Sequence, residues 1–186
     1  MLREKCLASA MKEAWRGAGY RFVLSNEILS VRADGWGFQA ALTNVPPKVL
    51  GLITEHLGSI MEDCFAFLLK KDEPEQSVIL DQEATKWADI RDILKRGELA
   101  EMKQTPLTLN GFEIWQEQTS LKTRLVDPSN TKIIEHGFRQ LARAETDGYN
   151  GILLWTSMAG SVAFVMAEPD EDGKLDPLDG YPWCGE

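Results

Sequence analysis

The same order of secondary-structure patterns occurs twice along this chain, and that repetition restricts the fold more than any other feature of the sequence. Each half has the pattern of a helix, three strands, a second helix and two further strands. Residues 2–16 open the first half with apolar side chains at a 3.6-residue spacing, which predicts an amphipathic helix ended by Gly17 and Gly19. Residues 82–96 repeat this pattern at the start of the second half. We therefore predict two related halves.

Alternating apolar and polar side chains predict three consecutive strands in each half. They are expected at residues 20–24, 27–33 and 36–42, and again at residues 107–109, 112–118 and 121–126. Asp34-Gly35 and Asn110-Gly111 lie between neighbouring strands, and both dipeptides are typical of type I′ hairpin turns. The strands of each half are therefore expected to pair as antiparallel hairpins.

The second helix of each half begins at a proline-containing signal. Pro46-Pro47 opens the first, and Asp127-Pro128 supplies an N-cap and a first-turn proline for the other, which is expected to reach about Ala144. Glu55-His56 and Glu135-His136 stand 80 residues apart, each predicted mid-way along its helix. Trp36 and Trp115, both in strand regions, lie 79 residues apart. These spacings support an internal duplication.

Together these patterns predict an α+β fold of two similar α-β-β-β-α-β-β halves, with a mostly antiparallel sheet and helices packed mainly on one face. We assign residues 1–80 to the first repeat, residues 81–167 to a second repeat packed on it, and residues 168–186 to an acidic C-terminal tail. Residues 151–156 and 161–167 are apolar on both faces, so that hairpin is expected at the centre of the sheet. The seam between the repeats is a natural binding groove.

Charge and cysteine content limit the partners that this chain can have. Acidic residues outnumber basic ones by 29 to 20, for a net charge of −9, which disfavours a nucleic-acid partner and favours a basic protein partner. No apolar run reaches the roughly 20 residues that cross a bilayer, so no membrane association is expected. Cys6, Cys64 and Cys184 are widely spaced and form no disulfide pattern. We expect a cytoplasmic protein, and the oligomeric state is left open.

The two histidines are the first candidate site residues, since imidazole titrates near neutral pH. His56 and His136 each lie at the margin of the apolar stripe of a predicted helix. Two interpretations are open: a pair of symmetric ligand or catalytic positions, or half-buried rings with one nitrogen hydrogen-bonded. The second is favoured, because an adjacent glutamate does not face the same point on a helix as the histidine does.

Residues 168–179 resemble the twelve-residue loop of an EF-hand calcium site, with oxygen donors at positions one, three, five, nine and twelve and Gly173 at position six. Position one is glutamate and position twelve is Asp179, the reverse of the usual identities, and a strand precedes the loop. These departures favour an acidic, solvated tail, and no metal site is predicted. The closing aromatic residues, Tyr181 and Trp183, are expected to dock back onto the body of the protein.

Three functions follow from these patterns. The first is a non-catalytic binding or adaptor protein that uses the seam between the repeats. The second is a small enzyme with His56 or His136 as its acid–base group, assisted by a nearby carboxylate. The third is a small-molecule binder lined by tryptophan side chains. The candidate binding residues are His56, His136, Trp36 and Trp115; no catalytic residue and no cofactor is assigned.

Overall fold

The structure, a computed structural model, describes residues 1–58, 65–73, 98–145, 151–168 and 175–182. These residues form a mixed α+β protein with a large antiparallel sheet. The helices are α1 (Glu4–Arg16), α2 (Pro47–Leu57), α3 (Pro128–Thr131) and α4 (His136–Arg139). The strands are β1 (Tyr20–Ser25), β2 (Ile28–Ala33), β3 (Trp36–Ala41), β4 (Phe65–Leu69), β5 (Leu99–Leu109), β6 (Phe112–Glu117), β7 (Thr123–Val126), β8 (Arg143–Glu145), β9 (Ile152–Thr156) and β10 (Val162–Glu168). Short 3-10 turns occupy Leu42–Asn44 and Asp176–Leu178.

The two long helices form where the sequence predicts them. Helix α1 ends at Gly17, whose N–H donates to the carbonyls of Glu13 and Ala14, both at 3.0 Å. Helix α2 begins at Pro47, where a missing N–H costs nothing, and ends before Gly58, which has a φ of 88°. Their buried side chains join one core cluster with side chains of β1, β2 and β3. None of the helices in the described part of the chain has the length and apolar character needed to cross a bilayer.

The hairpin turns are partly as predicted. Asn110-Gly111 joins β5 to β6 with φ values of 51° and 87°, which fits the expected type I′ turn. Asp34-Gly35 does join β2 to β3, but only Gly35 has a positive φ, so the type I′ assignment is wrong there. The pair of left-handed residues instead occurs at Asn26-Glu27, between β1 and β2.

Strand β10 lies at the centre of the sheet, whose order is β4-β1-β2-β3-β10-β7-β6-β5-β8-β9. One edge of β10 pairs with β3 through residues 162–165 and then with β7 through residues 167–168. The other edge pairs with β9, and β9 also pairs with β8. The six strands β5 to β10 therefore close into a ring, and β1 to β4 extend from it. All of these pairings are antiparallel, as predicted.

The two flanks of β10 share one strand order. On one side lie β3, β2, β1 and β4, and on the other lie β7, β6, β5 and β8. In each flank the fourth strand returns beside the first one after a helical connection. The division into repeats of 1–80 and 81–167 stays a prediction, and the helix expected over residues 82–96 lies outside the described residues.

The single helix predicted from Asp127 to about Ala144 is wrong. Its start is correct, since the Asp127 carboxylate accepts from the N–H of Ser129 at 2.7 Å. The helix then stops after one turn, because the backbone of the buried Ile133 and Ile134 is engaged by another segment of the chain. Their backbone pairs instead with the N-terminus: the Arg3 N–H donates to the Ile133 carbonyl at 2.7 Å.

Residues 175–182 contact the body of the protein, but the side chain of Tyr181, which was expected to dock there, is 59% exposed. Leu175 is buried, and the Asp179 carboxylate accepts from the N–H of Thr123 at 2.7 Å and from its hydroxyl at 2.8 Å. The Gln116 side-chain amide donates to the Tyr181 carbonyl at 2.7 Å. Trp183 and most of the calcium-like loop lie outside the described residues. The oxygen that would serve position twelve of that loop is the one that binds Thr123.

Candidate functional site

An irregularity in β5 opens a cavity of about 500 Å³ against β6 and α4. The β5–β6 register shifts between Gln104 and Thr108, around Pro106, which has no N–H to give to the ladder. The Thr105 hydroxyl donates to the Ile114 carbonyl at 2.9 Å and so replaces one hydrogen bond of the interrupted ladder. We name this space the Trp115 cavity. Its lining residues are Lys103, Gln104, Pro106, Trp115, His136, Arg139 and Gln140.

Trp115 forms the buried aromatic wall of the Trp115 cavity. Its indole packs edge-on against Trp155, with ring centroids 6.0 Å apart and an interplanar angle of 85°. Its Nε1–H donates to the Glu113 carboxylate at 3.2 Å. The Trp155 indole N–H in turn donates to the Arg139 carbonyl at 3.3 Å, which ties α4 to the ring of strands. Both tryptophans are therefore held by packing and by hydrogen bonds.

Glu113 is a buried carboxylate beneath the cavity, with 9% of its surface exposed. Besides the Trp115 indole, it accepts from the Thr131 hydroxyl at 3.0 Å and forms an ion pair with Arg139 at 3.4 Å. A buried charge is stable only when it is paired and hydrogen-bonded, and three donors meet that requirement here. Because a guanidinium carries five N–H donors, Arg139 can hold Glu113 and still present donors to the cavity.

The cavity is cationic although the chain as a whole is acidic. Lys103 and Arg139 bring an ammonium and a guanidinium group, His136 adds an imidazole, and none of the described lining residues is acidic. Lys103 is positioned by Gln118: with its side-chain amide oriented to satisfy both neighbours, Gln118 accepts from the Lys103 ammonium and donates to Glu101 at 2.9 Å. In a protein with a net charge of −9, this lining favours an anionic ligand.

The structure brings together two of the four binding residues that the sequence analysis singled out. Trp115 and His136 line the same cavity. The prediction that His136 lies mid-way along a long helix is wrong. His136 is the first residue of the four-residue α4. Trp36 lies on β3 with 3% of its surface exposed, inside the main core cluster. His56 lies in the last turn of α2, away from the cavity lining.

His56 has the half-buried, hydrogen-bonded environment that the sequence analysis favoured. Its ring stacks on Trp15, with centroids 4.2 Å apart and planes 7° from parallel. Its Nδ1 lies 2.9 Å from the Tyr20 hydroxyl. Burial lowers the pKa of His56 and Lys12 lowers it further, against an opposing effect of Glu55. Burial likewise raises the pKa of Tyr20, so this hydroxyl stays protonated and can donate to a neutral imidazole.

Sequence reasoning missed Arg139, Lys103 and Glu113. Of the three, Glu113 could most easily have been identified from the sequence. It lies two positions from Trp115 on β6, so the two side chains share one buried face of the strand. A carboxylate on a buried strand face requires a cationic partner, which directs attention to an arginine elsewhere in the chain. Arg139 itself carries no local signal, since it reaches Glu113 from 26 residues away.

In the described part of the chain, no cluster of three or more histidine, cysteine, aspartate or glutamate side chains is arranged to hold a metal ion. No protein-family model, no curated protein sequence and no solved structure matches this chain.

Proposed function

We propose that this protein is a non-catalytic binding protein that takes a small organic anion, with a carboxylate or phosphate group, into the Trp115 cavity. The observation that carries the proposal is the convergence of Lys103, His136 and Arg139 on one cavity in a strongly acidic chain. Its volume of about 500 Å³ lies in the usual range for ligand pockets. The proposed setting is the cytoplasm.

The proposal gives each lining group a part in recognition. Arg139, held by Glu113, supplies planar N–H donors that match an oxyanion, and Lys103 supplies a second, more flexible positive charge. Trp115 offers an apolar wall, while Gln104 and Gln140 offer amide groups that can orient the uncharged part of the ligand. Small-molecule sites commonly combine an apolar wall with a few convergent polar groups in this way.

The proposed site differs from the seam that the sequence analysis favoured. Between the two predicted halves, Leu2 forms a β-bridge with Ile134, and the N-terminal ammonium pairs with Glu135 at 2.8 Å. At these residues the two segments are in direct contact, which leaves no space for a ligand between them. The Trp115 cavity, by contrast, is lined entirely by residues of the predicted second half. We therefore place small-ligand binding within that half.

Isothermal titration calorimetry with a panel of small carboxylates and phosphate esters tests the proposal. Lys103→Gln removes one cavity charge without touching Glu113 and should weaken binding about tenfold or more. Lys132→Gln is the matched control, because Lys132 is exposed and does not line the cavity. Equal affinities for the wild type and Lys103→Gln would contradict the assignment, as would the absence of any ligand in the panel.

A second candidate is an adaptor that binds a basic protein partner, and the net charge of −9 favours it. Such binding would weaken steeply as salt is added, and it would be insensitive to Lys103→Gln. The enzyme alternative places His136 at the Trp115 cavity as an acid–base group. It requires turnover of the bound anion, which product analysis by mass spectrometry detects, and loss of that turnover in His136→Gln.

A further inference from the structure

A second cavity, of about 430 Å³, lies on the face of the β1–β2 ladder that points away from the main core. Arg21 and Arg32 are directly opposite each other across this ladder and both line the cavity. Their neighbours Phe22 and Val31 point the other way, into the core. We name this space the arginine cavity. The rest of its lining is Ala18, Gly19, Tyr20, Ala33, Asp34, Gly35, Leu68 and Met166.

Arg21 and Arg32 are like charges placed directly opposite on neighbouring strands, so the two guanidinium groups repel each other. Burial lowers the pKa of Arg32, and the nearby Arg21 charge lowers it further. An anion between two guanidinium groups offsets such repulsion. The cross-strand register therefore places two guanidinium groups, each with five N–H donors, where one doubly charged group can contact both.

Arg32 is held in place by an aromatic ring. Its guanidinium carbon lies 5.3 Å from the centroid of Phe164, within the range of a cation–π contact. The Phe164 ring can lie there because Gly37 has no side chain: a Cβ at that position would overlap the ring. This packing restricts the guanidinium before any ligand arrives and so reduces the entropic cost of binding.

Asp34 also lines the arginine cavity and is exposed, so the lining combines two cations with one carboxylate. We infer that the arginine cavity binds a phosphate ester that carries hydroxyl groups, with the phosphate between Arg21 and Arg32 and a hydroxyl donating to Asp34. Guanidinium groups match the tetrahedral oxygens of a phosphate, and a carboxylate accepts from a hydroxyl. The site is separate from the Trp115 cavity and does not depend on the function proposed for it.

Calorimetric titration with ribose 5-phosphate, ribose and inorganic phosphate tests this inference. It is carried out on a Lys103→Gln background, so that the Trp115 cavity is weakened throughout. Ribose 5-phosphate should bind saturably and more tightly than either fragment. Arg21→Gln and Arg32→Gln should each weaken its binding about tenfold or more, and Arg32→Lys should weaken it less.

Asp34→Asn distinguishes recognition from simple charge attraction. It removes a negative charge, so inorganic phosphate should bind several-fold more tightly, while the advantage of ribose 5-phosphate over phosphate shrinks. Circular dichroism verifies the fold of each variant, and Arg21→Gln, at an exposed position, keeps the test valid if Arg32→Gln does not fold. Absence of saturable binding, or affinity unchanged in both arginine variants, would overturn the inference.

Discussion

The indole N–H of Trp115 donates to the carboxylate of Glu113 at 3.2 Å, two positions away on the same buried face of β6. This contact joins an aromatic wall and a buried charge within one strand, and Arg139 completes the group from α4. The Trp115 cavity is therefore built on a network whose parts fix one another. Disturbing the carboxylate should alter both stability and binding.

Replacing Glu113 with glutamine tests that network. The amide keeps a hydrogen-bond acceptor for Trp115 and Thr131, but it removes the charge that Arg139 pairs with. We expect a loss of about 1–3 kcal/mol in the free energy of unfolding, measured by urea denaturation. The exposed Glu101→Gln should change it by about 0.5 kcal/mol or less. Equal stability of Glu113→Gln and wild type would show that the ion pair contributes nothing.

Two glycine substitutions should have opposite effects on stability. Gly37→Ala places a methyl group against the Phe164 ring and the Val31 carbonyl, so we expect it to destabilise the protein by about 1–3 kcal/mol. Gly51→Ala lies inside α2 with open space around the new methyl group and should stabilise it by about 0.5–1 kcal/mol. Thermal and urea unfolding measure both. A neutral Gly37→Ala would refute the packing of Phe164 over Gly37.

The environment of His56 predicts a pH dependence of stability. Because the folded pKa is lowered, the unfolded chain binds more protons around pH 6.5, so the stabilisation is present above the unfolded pKa and lost as pH falls. Unfolding free energies measured from pH 8 to 5 should therefore fall more for wild type than for His56→Gln. The slope of the unfolding free energy against pH should differ between wild type and His56→Gln by less than about 1.4 kcal/mol per pH unit, the limit for one proton. An NMR titration of the His56 ring at or above the ordinary histidine value would contradict this.

The docking of residues 175–182 should be measurable as a coupling energy. Asp179→Ala removes the acceptor for both the N–H and the hydroxyl of Thr123, and we expect a loss of about 1–3 kcal/mol. A double-mutant cycle with Thr123→Val isolates the contribution of the hydroxyl, and a coupling of about 0.5 kcal/mol or more is expected. Additive effects would indicate that the two side chains do not interact in solution.

Local signals were sufficient for the parts of the fold that depend on neighbours in sequence. Glycine placed the end of α1, proline placed the start of α2, and Asn110-Gly111 placed its hairpin, because each acts on its own backbone. The apolar character of β9 and β10 on both faces correctly placed that hairpin in the interior: Leu153 and Leu154 are both buried.

Contacts between distant segments could not be predicted in the same way. Asp127-Pro128 predicted a long helix, but Ile134 instead bridges to Leu2, across more than a hundred residues. The closure of six strands into a ring likewise depends on the single pairing of β8 with β9. The cavity could not be predicted for the same reason: Trp115 and His136 were identified separately, and only the tertiary fold makes them neighbours.

The most direct test of the proposed binding site is the NMR signal of the Trp115 indole N–H during titration with small carboxylates and phosphate esters. A ligand in the Trp115 cavity should shift this signal saturably and leave the indole signal of Trp36, which lies in the core away from the cavity lining, in place. Lys103→Gln should weaken the response. A Trp115 signal unmoved by every anion in the panel would contradict the proposed site.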